Sequence, residues 1–398
     1  MTRESRLQLI RGIEQKRGSR VIAYVTSDRL NLSCGIADDV VSILHDHILS
    51  IASDERTKLD LFIYSRGGDS DIPWAIVSMF REYSREGLFS VLIPYKAHSA
   101  ATVISLGADE IVMTKKAELG PIDITITSGA YNPKEEGTSQ RLPISVEDVT
   151  GYFSLLEKID CKRPEEKMRG FEQLTNKVHP LALGTVSRML EQTQLVALRL
   201  LGTRENPFSE EKNRDIVKRL SSEIFSHRHT ISRTEAIKQL GLDQVLNAEE
   251  AGIDNELWDL YNEYRALFML DKPFTPEEYL IANNLDENTW SNLNLACIES
   301  VDRIDIRQMD IKVKKLRQVP PQLALNINNI ALPQINIGNL PPEITPQQVA
   351  QLIEHTINAL LTPIVNGAAA NAVNTLLKSL PIGGFERIEY NRVWKMEQ

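Results

Sequence analysis

One serine in this sequence stands where a nucleophile can be placed. Ser99 lies in the segment PYKAHSAATVISLGADEIV, after an apolar run that ends at Tyr95 and before a stretch of small and apolar residues. This pattern predicts a strand followed by a helix, so the hydroxyl projects at the edge of a sheet. The N–H groups of the first helical turn and the helix dipole favour negative charge there. Because serine also caps helices well, the segment alone leaves a nucleophile and a cap both open.

A pair of glycines comes one β-α unit earlier in the chain. Gly67 and Gly68, in YSRGGDSD, follow the predicted strand 59–65 and precede a predicted helix. Glycines allow the main chain to approach a ligand closely and to turn an N–H towards it, as an oxyanion hole requires. A simple β-α turn is the alternative interpretation. The position of the glycine pair one β-α unit before Ser99 favours the oxyanion hole.

Groups that can move protons come later in the chain. Asp123 lies in AELGPID, and both His227 and His229 precede the last predicted helix of the first domain. Each of the three can supply a general base or the group that orients it. His98 is next to Ser99 in sequence, and we expect its side chain to point away from the serine.

The elements that position these residues are predicted between 20 and 124. Short apolar runs predict buried strands at 21–25, 59–65, 89–95 and 110–114. Apolar residues at helical spacing predict a helix over 38–52 and another between the second and third strands. The alternation of strands and helices predicts an α/β fold with parallel strands buried on both faces.

The rest of the chain predicts further regions around this core. Glycine, proline and polar residues after AELGPID predict a lid, and the pattern from there to Phe225 predicts mainly helices. Residues 124–225 are therefore expected to form a lid and helical insertion within a first domain that covers 1–246. Residues 247–318 predict an α+β extension with two strands or a hairpin. An extended Pro- and Asn-rich linker or arm over 319–345 and a helical tail over 346–398 complete the expected organisation.

Composition excludes several classes of function. The chain has 398 residues, of which 42% are apolar, and a formal net charge of −9 that argues against a nucleic-acid-binding protein of the basic-patch kind. No apolar run is long enough to span a membrane and the N-terminus lacks the apolar core of a signal peptide, so we expect a cytoplasmic protein. Three dispersed cysteines and the absence of HExxH and GxGxxG predict neither a metal site nor a nicotinamide cofactor, and no pyridoxal motif is present. The cysteines are Cys34, Cys161 and Cys297.

Together these segments resemble the serine dehydrogenase proteinase family, which is related to the Clp protease proteolytic subunit and to signal peptide peptidase A. The resemblance covers roughly 20–246 and depends on the order and spacing of SRVIAYVTSDR, YSRGGDSDIPWAIVSMF, KAHSAATVISLGADEIVM, AELGPID and SHRHTISRTEAIKQLGL. It implies the Clp/crotonase fold, a spiral of β-β-α units. It also implies a peptide or protein substrate and a homo-oligomer, usually a trimer or hexamer.

The resemblance assigns roles to the residues around the serine. Ser99 matches the nucleophile of the family, and Gly67 and Gly68 match the glycines of its oxyanion loop. The N–H of Ala100 would be the second oxyanion donor. Ala101 departs from the family, which has glycine at this place.

The resemblance leaves the general base open. Asp123 lies in the LGPID motif of the family, close to where the Clp peptidase places its histidine, and His227 matches the histidine of the family's His-Asp pair. Arg228 stands where the family usually has that aspartate. A Ser-His-Asp relay requires the histidine between the other two groups. The alternative bases are His229, His179 and Lys134.

The leading hypothesis is a cytoplasmic serine hydrolase, a peptidase that forms an acyl-enzyme on Ser99. The alternative is a catalytically weak or inactive Clp-fold scaffold that binds a protein partner through its C-terminal region, which the departures at Ala101 and Arg228 favour. An acyl-CoA enzyme of the crotonase type is a third hypothesis, since it shares the fold and the oxyanion hole but needs no nucleophilic serine.

Overall fold

Strands and helices follow one another in the alternating order that the apolar runs predict. The computed structural model describes residues 2–51, 57–84, 88–122, 125–126, 129–135, 140–161, 163–223, 229–318, 351, 354–355, 359, 378 and 380–397. The chain divides into two compact units. One comprises Met1–Phe274, Asn292–Asp310 and Asn391–Gln398, and the other comprises Thr275–Ser291 and Ile311–Tyr390.

The strands are β1 (Arg20–Thr26), β2 (Asp28–Arg29), β3 (Leu32–Ser33), β4 (Leu59–Tyr64), β5 (Phe89–Ile93), β6 (Lys96–Ala97), β7 (Glu110–Met113), β8 (Glu118–Leu119), β9 (Thr125–Ile126), β10 (Ile144–Ser145), β11 (Ile231–Ser232), β12 (Val245–Asn247), β13 (Glu287–Glu299), β14 (Ile304–Arg317) and β15 (Ile382–Glu397). The main sheet has the order β12-β7-β5-β4-β1-β13-β14-β15. Its first five strands pair in parallel, and β13 joins β1 antiparallel.

The helices are α1 (Arg3–Arg17), α2 (Val40–Ile51), α3 (Ile72–Tyr83), α4 (Ala100–Leu106), α5 (Val146–Lys158), α6 (Pro164–Thr175), α7 (Pro180–Gly202), α8 (Glu210–Lys218), α9 (Arg233–Lys238), α10 (Asp254–Leu267) and α11 (Pro276–Ala282). A π-helical turn, Arg219–Glu223, continues α8. Within the described ranges, none of these helices combines the length and the apolar character that crossing a bilayer demands.

Both faces of the parallel strands are buried. Along β1, Ile22 and Tyr24 belong to the cluster that also contains the apolar sides of α2, α3 and α4. The alternating residues Val21 and Val25 belong to a second cluster, together with the apolar sides of α1 and α10. Burial on both faces explains why these strands are nearly continuous apolar runs, and it confirms the predicted α/β class.

A small second sheet positions Ser99, the candidate nucleophile of the sequence analysis. Its order is β11-β8-β6, with β6 and β8 parallel and β11 antiparallel to β8. Strand β6 ends at Ala97, two residues before Ser99. The carboxyl end of β6 therefore lies beside the carboxyl end of β8, which leads towards Asp123.

The described regions outside the core differ from the sequence prediction in two places. The predicted helical tail over 346–398 is wrong for Ile382–Glu397, which forms strand β15. That segment is rich in aromatic and β-branched residues, whose packing on a pleated surface outweighs helix propensity. The predicted boundary after 246 does not separate compact units either, because α10 packs its apolar side into the core of the first unit. The predicted linker at 319–345 lies outside the described residues.

Candidate active site

Ser99 adopts a backbone conformation that side-chain-bearing residues rarely adopt. Its φ is 50° and its ψ is −118°, directly before the first residue of α4. Such a conformation costs on the order of 1–3 kcal/mol and persists only where the surrounding structure enforces it. The side chain makes no capping hydrogen bond to α4. The cap that the sequence left open is therefore not the role of this hydroxyl.

The glycine pair packs against the serine and leaves no room for side chains. A β-carbon on Gly67, where φ is 101°, would stand 2.6 Å from the Ser99 β-carbon and 2.8 Å from the His98 carbonyl oxygen. A β-carbon on Gly68 would stand 2.2 Å from the Ile36 carbonyl oxygen. Glycine is required at both positions because the main chain itself fills the space.

Two main-chain N–H groups beside Ser99 have no acceptor among the described residues. The Gly67 N–H donates to Ser65 Oγ at 3.0 Å, and the Asp69 N–H donates to the Ile36 carbonyl at 2.9 Å. Between them, the N–H of Gly68 donates no hydrogen bond to any residue that the structure describes. The N–H of Ala100, the first residue of α4, has no partner within its helix because no helical carbonyl lies one turn before it. Two such N–H groups beside a serine can donate hydrogen bonds to a developing oxyanion.

Thr102 joins the helix of Ser99 to the loop after β8. Its Oγ1 lies 2.7 Å from the Ala97 carbonyl oxygen and 2.9 Å from the Gly120 carbonyl oxygen, and it accepts the Gly120 N–H at 3.1 Å. The side chain is fully buried. One hydroxyl therefore fixes the loop that leads towards Asp123 relative to the start of α4.

The hydrogen bond of the His98 ring goes to β8, and none between described residues joins that ring to Ser99. His98 Nε2 lies 3.1 Å from Glu118 Oε1 on β8. A β-carbon on Gly120 would stand 2.9 Å from the His98 β-carbon, so the loop after β8 lies directly on this histidine. The His98 ring thus supports the loop rather than the serine.

Asp123 and His227, the two residues that the resemblance assigns to the relay, lie outside the described residues, as does Arg228. The described chain on either side of them has a defined register. Ile231 of β11 pairs with Leu119 of β8 in antiparallel orientation. The chain that enters β11 and the chain that leaves β8 therefore share one end of the small sheet, the end where β6 leads into Ser99.

The alternative bases make other contacts. His229 pairs with Glu235 at 2.9 Å. His179 accepts the Leu181 N–H at the start of α7 and stacks on Tyr131 with ring centroids 4.8 Å apart. Lys134 is exposed, in a bridge to Arg141. No hydrogen bond between described residues joins any of these three candidates to Ser99.

A half-buried carboxylate that the sequence analysis missed ties together the loops on both sides of the site. Asp28 accepts hydrogen bonds from Tyr64 Oη at 2.7 Å, Arg66 Nε at 2.9 Å and Lys96 Nζ at 2.8 Å. Arg66 precedes Gly67, and Lys96 begins β6. Burial acts to raise the pKa of Asp28, but the hydrogen bonds from Lys96 and Tyr64 outweigh it, and the pKa lies below its ordinary value. The carboxylate stays ionised at neutral pH.

A second Ser-His-Asp array lies elsewhere in the same unit. His47 Nδ1 lies 2.9 Å from Ser300 Oγ, and His47 Nε2 lies 3.1 Å from Asp305 Oδ2. Because His47 and Ser300 have no exposed surface and Asp305 is 3% exposed, no substrate reaches this array. It connects α2 to the turn between β13 and β14. Among the described residues, no group of three histidine, cysteine or carboxylate side chains is arranged to bind a metal.

Comparison with known proteins finds a match over the part of the chain that contains Ser99 and the glycine pair. Residues 1–150 match the family model described as ClpP-like SDH-type serine proteinase. Two uncharacterized proteins of Methanocaldococcus jannaschii align over longer stretches. One, MJ1495, is 26% identical over 264 residues, which cover 64% of this chain and 76% of the relative. The other, MJ0137, is 25% identical over 250 residues, which cover 62% and 75%.

Solved structures share a weaker likeness. A variant of the 1510-N membrane-bound stomatin-specific protease in complex with a substrate peptide has a TM-score of 0.31 and 13% identity, over 57% of this chain and 74% of that one. ClpP1 from Listeria monocytogenes has a TM-score of 0.30 and 14% identity, over 60% and 94%. At these scores neither likeness bears on the function of this chain. The match over residues 1–150 confirms the expected resemblance to the ClpP-like SDH-type serine proteinases, and it supports a serine peptidase.

Proposed function

We propose that this protein is a cytoplasmic peptidase that cleaves peptide bonds through an acyl-enzyme on Ser99. The observation that carries the proposal is the strained backbone of Ser99 between two unpaired donors, the N–H groups of Gly68 and Ala100. Strain of this kind is retained where it aims a reactive side chain. Within the described residues Cys34, Cys161 and Cys297 form no disulfide, which suits the reducing conditions of the cytoplasm.

The proposed reaction has two halves. Ser99 Oγ attacks the scissile carbonyl carbon while a general base accepts the hydroxyl proton, and the N–H groups of Gly68 and Ala100 hold the resulting oxyanion. The base then gives the proton to the leaving amine, the C–N bond breaks and an ester on Ser99 remains. Water attacks the ester in the same way, the base transfers its proton to Ser99 Oγ, and the acid product leaves.

For the relay we propose His227 as the general base and Asp123 as the group that orients it. The register of the small sheet supports this assignment, because β8 leads into the segment of Asp123 and the segment of His227 leads into β11 at the same end. The contacts of His229 with Glu235 and of His179 with Leu181 favour neither as the base.

We further propose that the chain assembles as a homo-oligomer, a trimer or a hexamer. Large apolar side chains are exposed on the helices of the insertion, and such side chains on neighbouring helices are typical of protein interfaces. They are Leu155, Met168, Phe171, Leu181 and Leu195. Sedimentation at micromolar concentration is expected to show a species several times larger than 44.9 kDa, and a monomer alone would contradict this proposal.

Fluorophosphonate labelling, measured by intact mass, tests the peptidase proposal. The wild type is expected to gain one adduct and Ser99→Ala none. Ser105→Ala provides the matched control and is expected to label like the wild type. It removes a hydroxyl from α4 that, among the described residues, donates to the Ala101 carbonyl within the same helix. No adduct on the wild type, with or without cell lysate, would contradict the proposal and favour a Clp-fold scaffold.

A further inference from the structure

Gly67 and Gly68, which we call the oxyanion glycines, are hydrogen-bonded to a loop whose other end is hydrogen-bonded to the C-terminal strand. We define residues 34–39, between β3 and α2, as the support loop. The Ile36 N–H donates to the Gly67 carbonyl at 2.8 Å, and the Ile36 carbonyl accepts the Asp69 N–H at 2.9 Å. A β-carbon on Gly35 would stand 3.0 Å from the Gly67 carbonyl oxygen. The support loop therefore fixes the peptide group whose N–H belongs to Gly68.

The far end of the support loop is held by two residues from the C-terminal third of the chain. Trp394 Nε1 on β15 donates to Asp39 Oδ2 at 3.0 Å, and Arg307 Nη2 on β14 lies 2.8 Å from the same oxygen. Arg307 Nη1 also lies 3.5 Å from Cys34 Sγ, so this guanidinium contacts both ends of the loop. Its side chain is only 15% exposed, which limits the screening of this ion pair by water.

We propose that Asp39 is a positioning residue of the active site, and that Trp394 and Arg307 set the oxyanion glycines through it. The proposal rests on the peptidase function proposed above. It gives the C-terminal strand a role in catalysis: β15 completes the support of the Gly68 N–H. The physical reason is that an oxyanion donor acts only within hydrogen-bond distance of the reacting oxygen, so a small shift of Gly68 reduces the rate steeply.

This role has a distinct kinetic consequence. The Gly68 N–H interacts with charge that develops in the transition state, so loosening it lowers kcat and leaves KM nearly unchanged. A purely structural role for Trp394 would instead lower the unfolding midpoint without changing the rate per folded active site.

The test is Trp394→Phe, which keeps an aromatic ring and removes only the N–H donor to Asp39. Trp290→Phe is the matched control, since it makes the same change on β13, where the ring contacts Tyr279 at 5.5 Å. Two readouts are needed. Hydrogen exchange of peptides that cover 34–40 and 66–72 reports the loops themselves, and the fluorophosphonate labelling rate reports Ser99 and its oxyanion hole.

For Trp394→Phe we expect faster hydrogen exchange in both peptides and fluorophosphonate labelling slowed about three- to tenfold. The probe concentration that gives the half-maximal labelling rate is expected to stay unchanged. Trp290→Phe is expected to match the wild type in both. Unchanged exchange in Trp394→Phe would overturn the proposal even if the wild type labels normally. Faster hydrogen exchange in Trp394→Phe, together with a wild type that never labels, would contradict the peptidase function. It would still establish the connection between the support loop and the loop of the oxyanion glycines.

A double-mutant cycle separates this route from a general loss of stability. If Trp394 acts through Asp39, the effect of Trp394→Phe on the labelling rate disappears in an Asp39→Ala background, which removes both the acceptor of the Trp394 N–H and the charge that holds Arg307. Fully additive effects would mean that Trp394 acts by another route, and they would overturn the proposal.

Discussion

Gly67 lies so close to Ser99 that a β-carbon on Gly67 would lie 2.6 Å from the β-carbon of Ser99. This contact sets the distance between the loop after β4 and the turn between β6 and α4. The two proposed oxyanion donors are the N–H groups of the next residues in the chain, Gly68 after Gly67 and Ala100 after Ser99. Their separation therefore depends on position 67 having no side chain.

Gly67→Ala tests this dependence. The added methyl group meets main-chain and β-carbon atoms that cannot move independently, and the φ of 101° disfavours alanine as well. We expect the free energy of unfolding to fall by about 1–3 kcal/mol and fluorophosphonate labelling to slow at least about a hundredfold. Urea unfolding and timed intact-mass spectra measure the two effects.

Gly184→Ala is the control for Gly67→Ala. It lies within α7, where a β-carbon would meet nothing within 4 Å, so alanine is expected to stabilise the helix by about 0.5–1 kcal/mol with no change in labelling. Labelling by Gly67→Ala at the wild-type rate would show that the contact with Ser99 does not set the oxyanion hole.

The strain at Ser99 is itself measurable. Glycine adopts a φ of 50° with a ψ of −118° more readily than serine or alanine, so Ser99→Gly releases the strain while Ser99→Ala retains it. We expect the glycine variant to exceed the alanine variant in free energy of unfolding by about 1 kcal/mol, although neither variant can be labelled. Equal stability of the two would mean that the backbone of Ser99 is not strained.

The Thr102 hydroxyl is expected to matter more than its neighbour on the same helix. Thr102→Val keeps the shape and leaves the buried Gly120 N–H and carbonyl without their partner. We expect a loss of about 1–3 kcal/mol in the free energy of unfolding and a clear fall in labelling rate. Ser105→Ala removes one bond inside α4 and is expected to cost less than about 1 kcal/mol. Similar effects of the two substitutions would contradict a special role of Thr102.

Local pattern was sufficient to predict the parallel core and the placement of the serine. Nearly continuous apolar runs such as 59–65 are typical of strands buried on both faces, and β4 is buried throughout. A polar residue at the end of such a strand, before a helix, lies at the sheet edge for geometric reasons alone. This is why Ser99 and the glycine pair could be identified together.

Long-range partners could not be predicted in this way. Arg307 and Cys34 are 273 residues apart, and nothing near either one in sequence specifies the other. The sequence does not reveal the partners of Asp28 either, since its three donors come from the end of β4, the loop after β4 and the start of β6. Side-chain contacts of this kind depend on the packing of the whole unit, whereas periodicity reports only which face of one element is buried.

The buried array of His47, Ser300 and Asp305 predicts a pH dependence of stability. Burial lowers the pKa of His47 to about 4, and the neighbouring carboxylates of Asp305 and Asp46 only partly oppose it, while Arg303 adds to the lowering. Above pH 6.5 the histidine is neutral in the folded and the unfolded chain and contributes no pH dependence. Between pH 6.5 and 4 only the unfolded chain binds the proton, so the free energy of unfolding falls as the pH falls.

Urea unfolding of the wild type and His47→Gln at pH 7, 5.5 and 4.5 measures this contribution. The side-chain amide of glutamine can still bond to Ser300 but does not titrate. From pH 6.5 downwards, the wild type is expected to lose about 1.4 kcal/mol per pH unit more than the variant, and about 3 kcal/mol in total near pH 4. The difference between the two proteins should stay constant above pH 6.5. A difference that stays constant down to pH 4.5 would mean that His47 takes up its proton in the folded protein as readily as in the unfolded chain.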